Sequence, residues 1–307
     1  MSLKVAIIGG AGRVGANAAF ALQCGGVVRE LALVDVNHDV AEGEALDLLH
    51  GASIAADQRI HAAPLSDVAD ADVVCITAGS RRKPDESRLD LINRNVSIFR
   101  GILDGLRSAG LNRDAIIFVI SNPVDVLTRL AIEHLDWAPQ RCIGLGTVLD
   151  TARFRSMIAD ASGFPATQVK ALILGEHGDA MAPIWSSATV GGIALTQLMT
   201  PAEQQTIFER TKGSGAEVIR RKGGAGYAVG LSILEVVHSI ALDQRRILPV
   251  STQLTGQYGV RRVCLSIPTI VGRDGILGYH PIDLWPKELA GIQRSAQSLD
   301  QTFAKLG

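Results

Sequence analysis

Three stretches of this chain hold residue types that could move a proton and grip an anion. Gly175-Glu176-His177-Gly178-Asp179 follows directly on an apolar run, Val169–Leu174, so a histidine sits between glycines at the end of a strand. A ring held there is free rather than packed. Its ordinary pKa lies near neutrality, and a carboxylate partner would orient it and raise that pKa. The other histidines (His38, His50, His61, His134, His238, His280) have no comparable setting and read as structural or surface residues. Leu149–Ala161 reads as an amphipathic helix with Asp150 and Arg153 at i and i+3, on one side; alone, such a pair is an ordinary surface ion pair. The stretch Ala78–Asn95 crowds Arg81, Arg82, Lys83 and Arg88 together, with no buried-type residue before Leu89. A guanidinium fork pairs with a carboxylate in two parallel bonds, although most charge runs are plain solvated loops.

The elements that must position these residues begin with Leu3–Ile8, a β-branched run suited to a strand buried on both faces. Gly9-Gly10-Ala11-Gly12-Arg13-Val14-Gly15 follows, then an alanine-rich helical pattern through Gln23. Two glycine registers overlap, Gly10/Gly12/Gly15 and Gly9/Gly12/Gly15, and both answer one need. Backbone N–H groups must approach a pyrophosphate at a helix N-terminus, and helix must pack closely on strand. A second strand, Leu31–Val34, ends in Asp35, twenty positions past Gly15, where a carboxylate accepts hydrogen bonds from ribose hydroxyls. The same carboxylate repels a 2′-phosphate, so the expected cofactor is NAD rather than NADP.

Alternation then continues through a helix at Val40–His50, strands at Arg59–Ala62 and Asp72–Thr77, and a helix at Leu89–Ala109. A strand at Ala115–Ile120 runs into Ser121-Asn122-Pro123, a helix covers Val124–Leu135, and Cys142–Leu145 is a short strand. This is the pattern of a parallel sheet with helices on both faces. Beyond it the pattern is irregular: a strand at Val169–Leu174, helices at Gln204–Arg221 and Gly226–Leu242, strands within Arg261–Ile270 and a terminal helix at Pro286–Lys305. The expected fold class is therefore α/β, a Rossmann-type doubly wound parallel sheet over residues 1–145. A mixed α+β substrate and catalytic domain is expected over 146–307.

The 307 residues are 47% apolar and 20% charged with a net charge of −1, an ordinary globular composition without the basic face that nucleic acid or a membrane surface would need. The four cysteines, Cys24, Cys75, Cys142 and Cys264, have no metal-type spacing and read as buried free thiols of a reducing compartment. Arg13 interrupts the apolar start that could imitate a signal peptide, and no uninterrupted apolar segment spans a bilayer. A cytoplasmic protein without metal is expected.

Together these motifs resemble the lactate/malate dehydrogenase family, over nearly the whole chain and in the family's order: Ala78–Asn95, Ser121-Asn122-Pro123-Val124-Asp125, Asp150-Thr151-Ala152-Arg153-Phe154 and Gly175–Asp179. The resemblance implies that His177 exchanges the hydroxyl proton of a 2-hydroxy acid while Asp150 holds its ring. It implies that Arg153 clamps the C1 carboxylate, Arg88 polarises the C2 oxygen and Asn122 bonds substrate. Gly9, Gly10, Gly12, Arg13, Val14, Gly15, Asp35, Asn95, Ile120, Ser121 and Asn122 would lie along NAD. Assembly as a homodimer or homotetramer is implied as well.

The resemblance also sets an expectation about substrate. Arg82, six positions before Arg88, stands where malate enzymes carry arginine and lactate enzymes glutamine, which points to a dicarboxylic 2-hydroxy or 2-oxo acid, malate and oxaloacetate. Small residues at Gly223-Gly224-Ala225-Gly226 agree, where lactate enzymes tend to place a threonine. Lactate or another 2-hydroxy acid is the alternative. Asp85 and Glu86 depart from the malate pattern, and Glu86 resembles the lactate branch. Arg155 and Lys170 fall where some bacterial lactate enzymes bind a sugar bisphosphate, though both also suit a plain charged surface. An NAD-dependent glycosidase would need a Cys/His metal site, and Cys142 has no histidine close behind it.

Overall fold

The structure, a computed structural model, describes residues 3–80 and 88–306. Its first half is β1 (Lys4–Ile8), α1 (Arg13–Gly25), β2 (Glu30–Val34), α2 (His38–Gly51), β3 (Arg59–Ala62), β4 (Val73–Ile76), α3 (Arg88–Ser108), β5 (Ile116–Val119), α4 (Val124–Leu135) and β6 (Cys142–Gly144). Every residue of β1, β2, β4 and β5 is buried, as a strand with helices on both faces requires. The period-two alternation divides these strands between two cores. Val5, Ile7, Leu31 and Leu33 pack with Ala18, Ala19 and Leu22 of α1, while Ala6, Ile8, Ala32 and Val34 face Phe99, Leu103 and Leu106 of α3.

The second half is α5 (Val148–Ser162), β7 (Val169–Leu174), β8 (Ala182–Val190), β9 (Ile193–Ala194), α6 (Leu195–Leu198), α7 (Pro201–Lys222), α8 (Tyr227–Ala241), β10 (Arg246–Leu248), β11 (Ser251–Thr255), β12 (Arg261–Ser266), β13 (Thr269–Gly272), β14 (Gly275–Tyr279) and α9 (Pro286–Phe303). The main sheet runs β12-β11-β6-β5-β4-β1-β2-β3. Its parallel part has the order 3-2-1-4-5-6 of a dinucleotide-binding fold, with the switch point between β1 and β4. β11 pairs antiparallel with β6, so a hairpin from the second half extends the sheet of the first. A single bridge, Gly175 with Ser266, ties the end of β7 to the end of β12.

Two glycines of the first turn are required by contact. Gly9 has φ of 92°, and a β-carbon there would lie 2.7 Å from the Ala78 backbone nitrogen at the end of β4. A β-carbon at Gly15 would overlap the Gly9 carbonyl oxygen. The first turn of α1 is therefore packed on the Gly9–Gly10 turn after β1, and that turn on the end of β4. Cys75, Cys142 and Cys264 are buried, and burial pushes their thiols far above the usual range; Cys24 is exposed, against the expectation, on the outer side of α1. Among the described residues no helix is long and apolar enough to cross a membrane.

The helix that carries Asp150 and Arg153 is anchored by its own apolar face. Phe154 is fully buried and meets Trp185 of β8 edge-on, with ring centroids 4.8 Å apart at 74°. Phe154→Ala is expected to lower unfolding free energy by about 3–5 kcal/mol, measured by urea denaturation. A loss below about 1 kcal/mol would mean that α5 is seated by something other than this contact.

Candidate active site

The glycine turn offers what a pyrophosphate needs. Gly12 is the N-cap of α1 with no side-chain cap, and its first turn carries no acid, so its leading N–H groups are not taken by a carboxylate of the helix itself. Asp35, at the end of β2, accepts from the Ala11 N–H at 3.1 Å and the Asn37 N–H at 3.0 Å. One carboxylate thus fixes the glycine turn while keeping lone pairs for ribose hydroxyls. These residues fit NAD: uncapped N–H groups for a pyrophosphate and a carboxylate for a ribose. The Arg13 guanidinium points elsewhere, onto the carbonyls of Lys222 and Gly224.

Beyond the glycine turn, the ends of β4 and β5 supply polar groups. Ser121 Oγ donates to the carbonyls of Ile76 and Ala78, binding the ends of β4 and β5 together. Asn95 is buried, and its amide is spent on backbone: Oδ1 accepts from the Ser80 N–H at 2.8 Å, and Nδ2 donates to the Asn122 carbonyl at 3.0 Å. It is a clip between the two strand-end loops. Ile120 is buried, and Asn122 is exposed ahead of a cis peptide to Pro123. The expectations for Arg82 and for the Arg88 side chain lie outside the described residues, as do Arg81, Lys83, Asp85 and Glu86. Arg88 is the first residue of α3.

His177, Asp150 and Arg153 come together. Asp150, with its side chain 2% exposed, receives His177 Nδ1 on Oδ2 at 2.5 Å and Arg153 Nη1 on Oδ1 at 3.1 Å. Burial works to raise the Asp150 pKa, but the facing imidazole and then the guanidinium outweigh it and hold the carboxyl below its usual range. For His177, burial works to lower the pKa, yet Asp150 and, behind it, Asp125 bring it up to about 8. With Nδ1 committed to Asp150, Nε2 is the ring atom left to exchange a proton. The helical spacing of Asp150 and Arg153 is thus a buried arrangement around a histidine rather than a surface pair.

Asp125 closes the Ser121–Asp125 motif, but residue order assigned it no role. It lies on α4, is 3% exposed, and its Oδ2 accepts the His177 backbone N–H at 2.8 Å. Its Oδ1 is buried, and the Ser251 hydroxyl is the polar group set against the carboxyl. Burial raises its pKa to about 6, with Glu176 adding to the rise and the Ser251 hydroxyl and His177 opposing it. The signal in the sequence was an acid among the apolar positions of a helix, three residues beyond Asn122. Both raised groups bind their proton more tightly in the folded state. Their contribution to stability is therefore greatest at low pH, and fades as pH rises from 3.8 to about 6 for Asp125 and from 6.5 to about 8 for His177.

Among the described residues, one cluster of three metal-capable side chains occurs, His38, Asp39 and Glu42, exposed on α2. Arg155 Nε donates to the Ala171 carbonyl at 2.9 Å, and Lys170 is exposed.

Comparison with known proteins settles what this arrangement belongs to. The lactate/malate dehydrogenase NAD-binding domain matches residues 3–144, and the α/β C-terminal domain of the same family matches residues 147–306. The chain belongs to the lactate/malate dehydrogenase family. Similar relatives include L-lactate dehydrogenases of Gloeobacter violaceus and of a Synechococcus strain. Both are 40% identical over 98% of this chain, and the matches cover 92% and 98% of those proteins. The minor L-lactate dehydrogenase of Enterococcus mundtii superposes with a TM-score of 0.94 at 34% identity, covering 100% of this chain and 99% of that one. The malate dehydrogenase of Picrophilus torridus also superposes at 0.94, with 30% identity over 99% of this chain and 97% of that one. Shape alone does not separate the two branches. Sequence does, and it overturns the expectation of malate and oxaloacetate as substrates, because the relatives at 37–40% identity are L-lactate dehydrogenases. That expectation rested on the Arg82 guanidinium and on the small residues of Gly223–Gly226, while Asp85 and Glu86 departed from the malate pattern. The family acts on 2-hydroxy acids with NAD, and this member does so through its own NAD-binding domain.

Asp125→Asn keeps an acceptor for the His177 N–H and removes the charge. The His177 ring should then titrate below the about 8 of the unaltered protein, followed by NMR of its Cε1 proton. An unmoved titration would show that Asp125 acts on the backbone alone.

Proposed function

We propose that this protein interconverts L-lactate and pyruvate with NAD. The reading is carried by the buried His177–Asp150–Arg153 constellation in a chain whose near-full-length relatives are L-lactate dehydrogenases. NAD, when bound, takes or supplies the hydride at C2. In reduction, protonated His177 gives the Nε2 proton to the oxygen of the 2-oxo group, and in oxidation neutral His177 takes it back. Asp150 holds the ring and offsets the charge of the imidazolium, as a buried carboxylate beside a histidine does in other enzymes. Arg153 grips the C1 carboxylate with both arms of its fork, which places C2 beside His177. Arg88 is assigned to polarise the C2 oxygen, and Asn122 to donate to the same substrate.

Gly9, Gly10, Gly12 and Gly15 with the N-terminus of α1 are assigned to the pyrophosphate, and Asp35 to the ribose. Val14, Ile120, Ser121 and Asn95 shape the floor toward the nicotinamide end. Residues 1–145 serve the cofactor and 146–307 bring His177, Asp150 and Arg153. The reading includes assembly into a homodimer or homotetramer, supported by Phe20, Leu46, Leu49, Tyr227 and Leu231, large apolar side chains left exposed on α1, α2 and α8.

Because the His177 pKa is raised to about 8, kcat/KM for pyruvate reduction should hold below that pH and fall as pH rises through it. L-Lactate oxidation should rise over the same interval. The assay that decides the substrate compares kcat/KM for pyruvate, oxaloacetate and a branched 2-oxo acid, each with NADH and NADPH. Pyruvate with NADH should lead, and a lead for either of the other acids would overturn the reading. Arg153→Lys keeps the charge but loses the fork, so KM for pyruvate should rise about a hundredfold, with kcat lowered as well.

A further inference from the structure

Arg13 begins α1, one residue beyond Gly12, yet its side chain leaves the glycine turn. Its Nη1 donates to the Lys222 carbonyl at 2.6 Å and to the Gly224 carbonyl at 3.0 Å, partners 209 and 211 positions away in sequence. Those carbonyls close the C-terminus of α7, where Gly223 and Gly224 take φ of 75° and 144°. Carbonyls at a helix end carry partial negative charge and favour a cation, so the contact is a sound cap.

What sets this cap apart is where its two ends lead. α7 passes over the carboxylate clamp: a β-carbon at Gly215 would lie 3.5 Å from Arg153 Nη1, an ordinary van der Waals contact. The same helix therefore meets the dinucleotide turn at its end and the clamp at its middle. α8, which follows, is fixed to α1 by close approach, since a β-carbon at Gly230 would lie 2.6 Å from the Asn17 carbonyl oxygen. The link between α7 and α8 is the glycine-rich segment Gly223–Gly226, and the Arg13 side chain grips it. Arg13 is the first residue of the helix whose N-terminus is assigned to the pyrophosphate, and its side chain ends at the last turn of α7, which carries Arg220, Arg221 and Lys222.

We propose that Arg13 is a positioning residue that couples occupancy of the cofactor turn to the seating of α7 over Arg153. The proposal rests on the NAD-dependent 2-oxo acid reading above. Its measure is a coupling factor, the ratio of NADH dissociation constants without and with saturating oxamate, a non-reacting isostere of pyruvate, read by NADH fluorescence. In the unaltered protein the ratio should exceed one clearly. Arg13→Ala should reduce it about tenfold, and KM for pyruvate should rise by more than kcat falls. Arg13→Lys, which keeps a donor for one carbonyl, should recover part of the coupling. An unchanged ratio in both variants would overturn the proposal, whether NADH affinity alone is weakened or nothing changes. Absence of coupling in the unaltered protein would overturn the functional reading itself, so the two failures are distinct.

Discussion

A carboxylate at Asp150 has almost no access to water, and the site depends on how its charge is answered. Leaving such an ion unpaired costs several kcal/mol, and removing either partner would expose that cost. Each oxygen has one partner, His177 on Oδ2 and Arg153 on Oδ1. The arrangement has a chemical consequence beyond stability. Because Asp150 is committed as an anion, His177 keeps its proton to a higher pH than a free imidazole, and its tautomer is fixed with Nε2 outward. Because Arg153 is tethered by one nitrogen, its planar fork is already oriented, and in the proposed reading less entropy is lost when a substrate carboxylate binds.

The histidine is held from its backbone as well. Asp125 accepts the His177 N–H from α4, and Gly175 bridges to Ser266 on β12, so the loop that carries the ring is pinned on two sides. Asp125 follows Asn122 within one turn of helix start, and Asn95 binds the Asn122 carbonyl from α3. The polar strand-end segments therefore form one connected set of bonds rather than separate loops. Asp125 brings a second buried carboxyl to that set. Its charge acts as a field on the His177 ring, raising the pKa of the imidazole.

Much of this was legible in residue order. The parallel half could be read because its buried strands are short, largely apolar runs and because glycine has few reasons to recur at Gly9, Gly12 and Gly15. Asp35, Asp150, Arg153 and His177 could be singled out because their types and offsets serve one chemistry. The second half was less legible for physical reasons. β8, Ala-Pro-Ile-Trp-Ser-Ser-Ala-Thr-Val, mixes small, polar and proline residues in a two-sided environment, so it shows no clean alternation. α7 begins at Pro201, three residues before the expected Gln204, because Thr200 and Glu203 cap each other's backbone and Pro201 suits the first turn. That signal was present and was outweighed by a polar run without periodicity.

The pairing of Arg13 with Lys222 and Gly224 had no signal at all, since nothing local in either segment refers to the other. Substrate choice has the same character. A guanidinium attracts a second carboxylate only if the surrounding charges leave it unanswered, and between positions 81 and 88 Arg82 stands among two acids and three other cations. Residue type at one position therefore fixes the reaction less well than it fixes a turn. The glycine turn is determined by contacts within a few ångströms, whereas selectivity is a difference between two binding free energies summed over every charge in the closed site. Whole-chain similarity reports on that sum because it samples all the positions that contribute to it. For that reason the relatives outweigh Arg82.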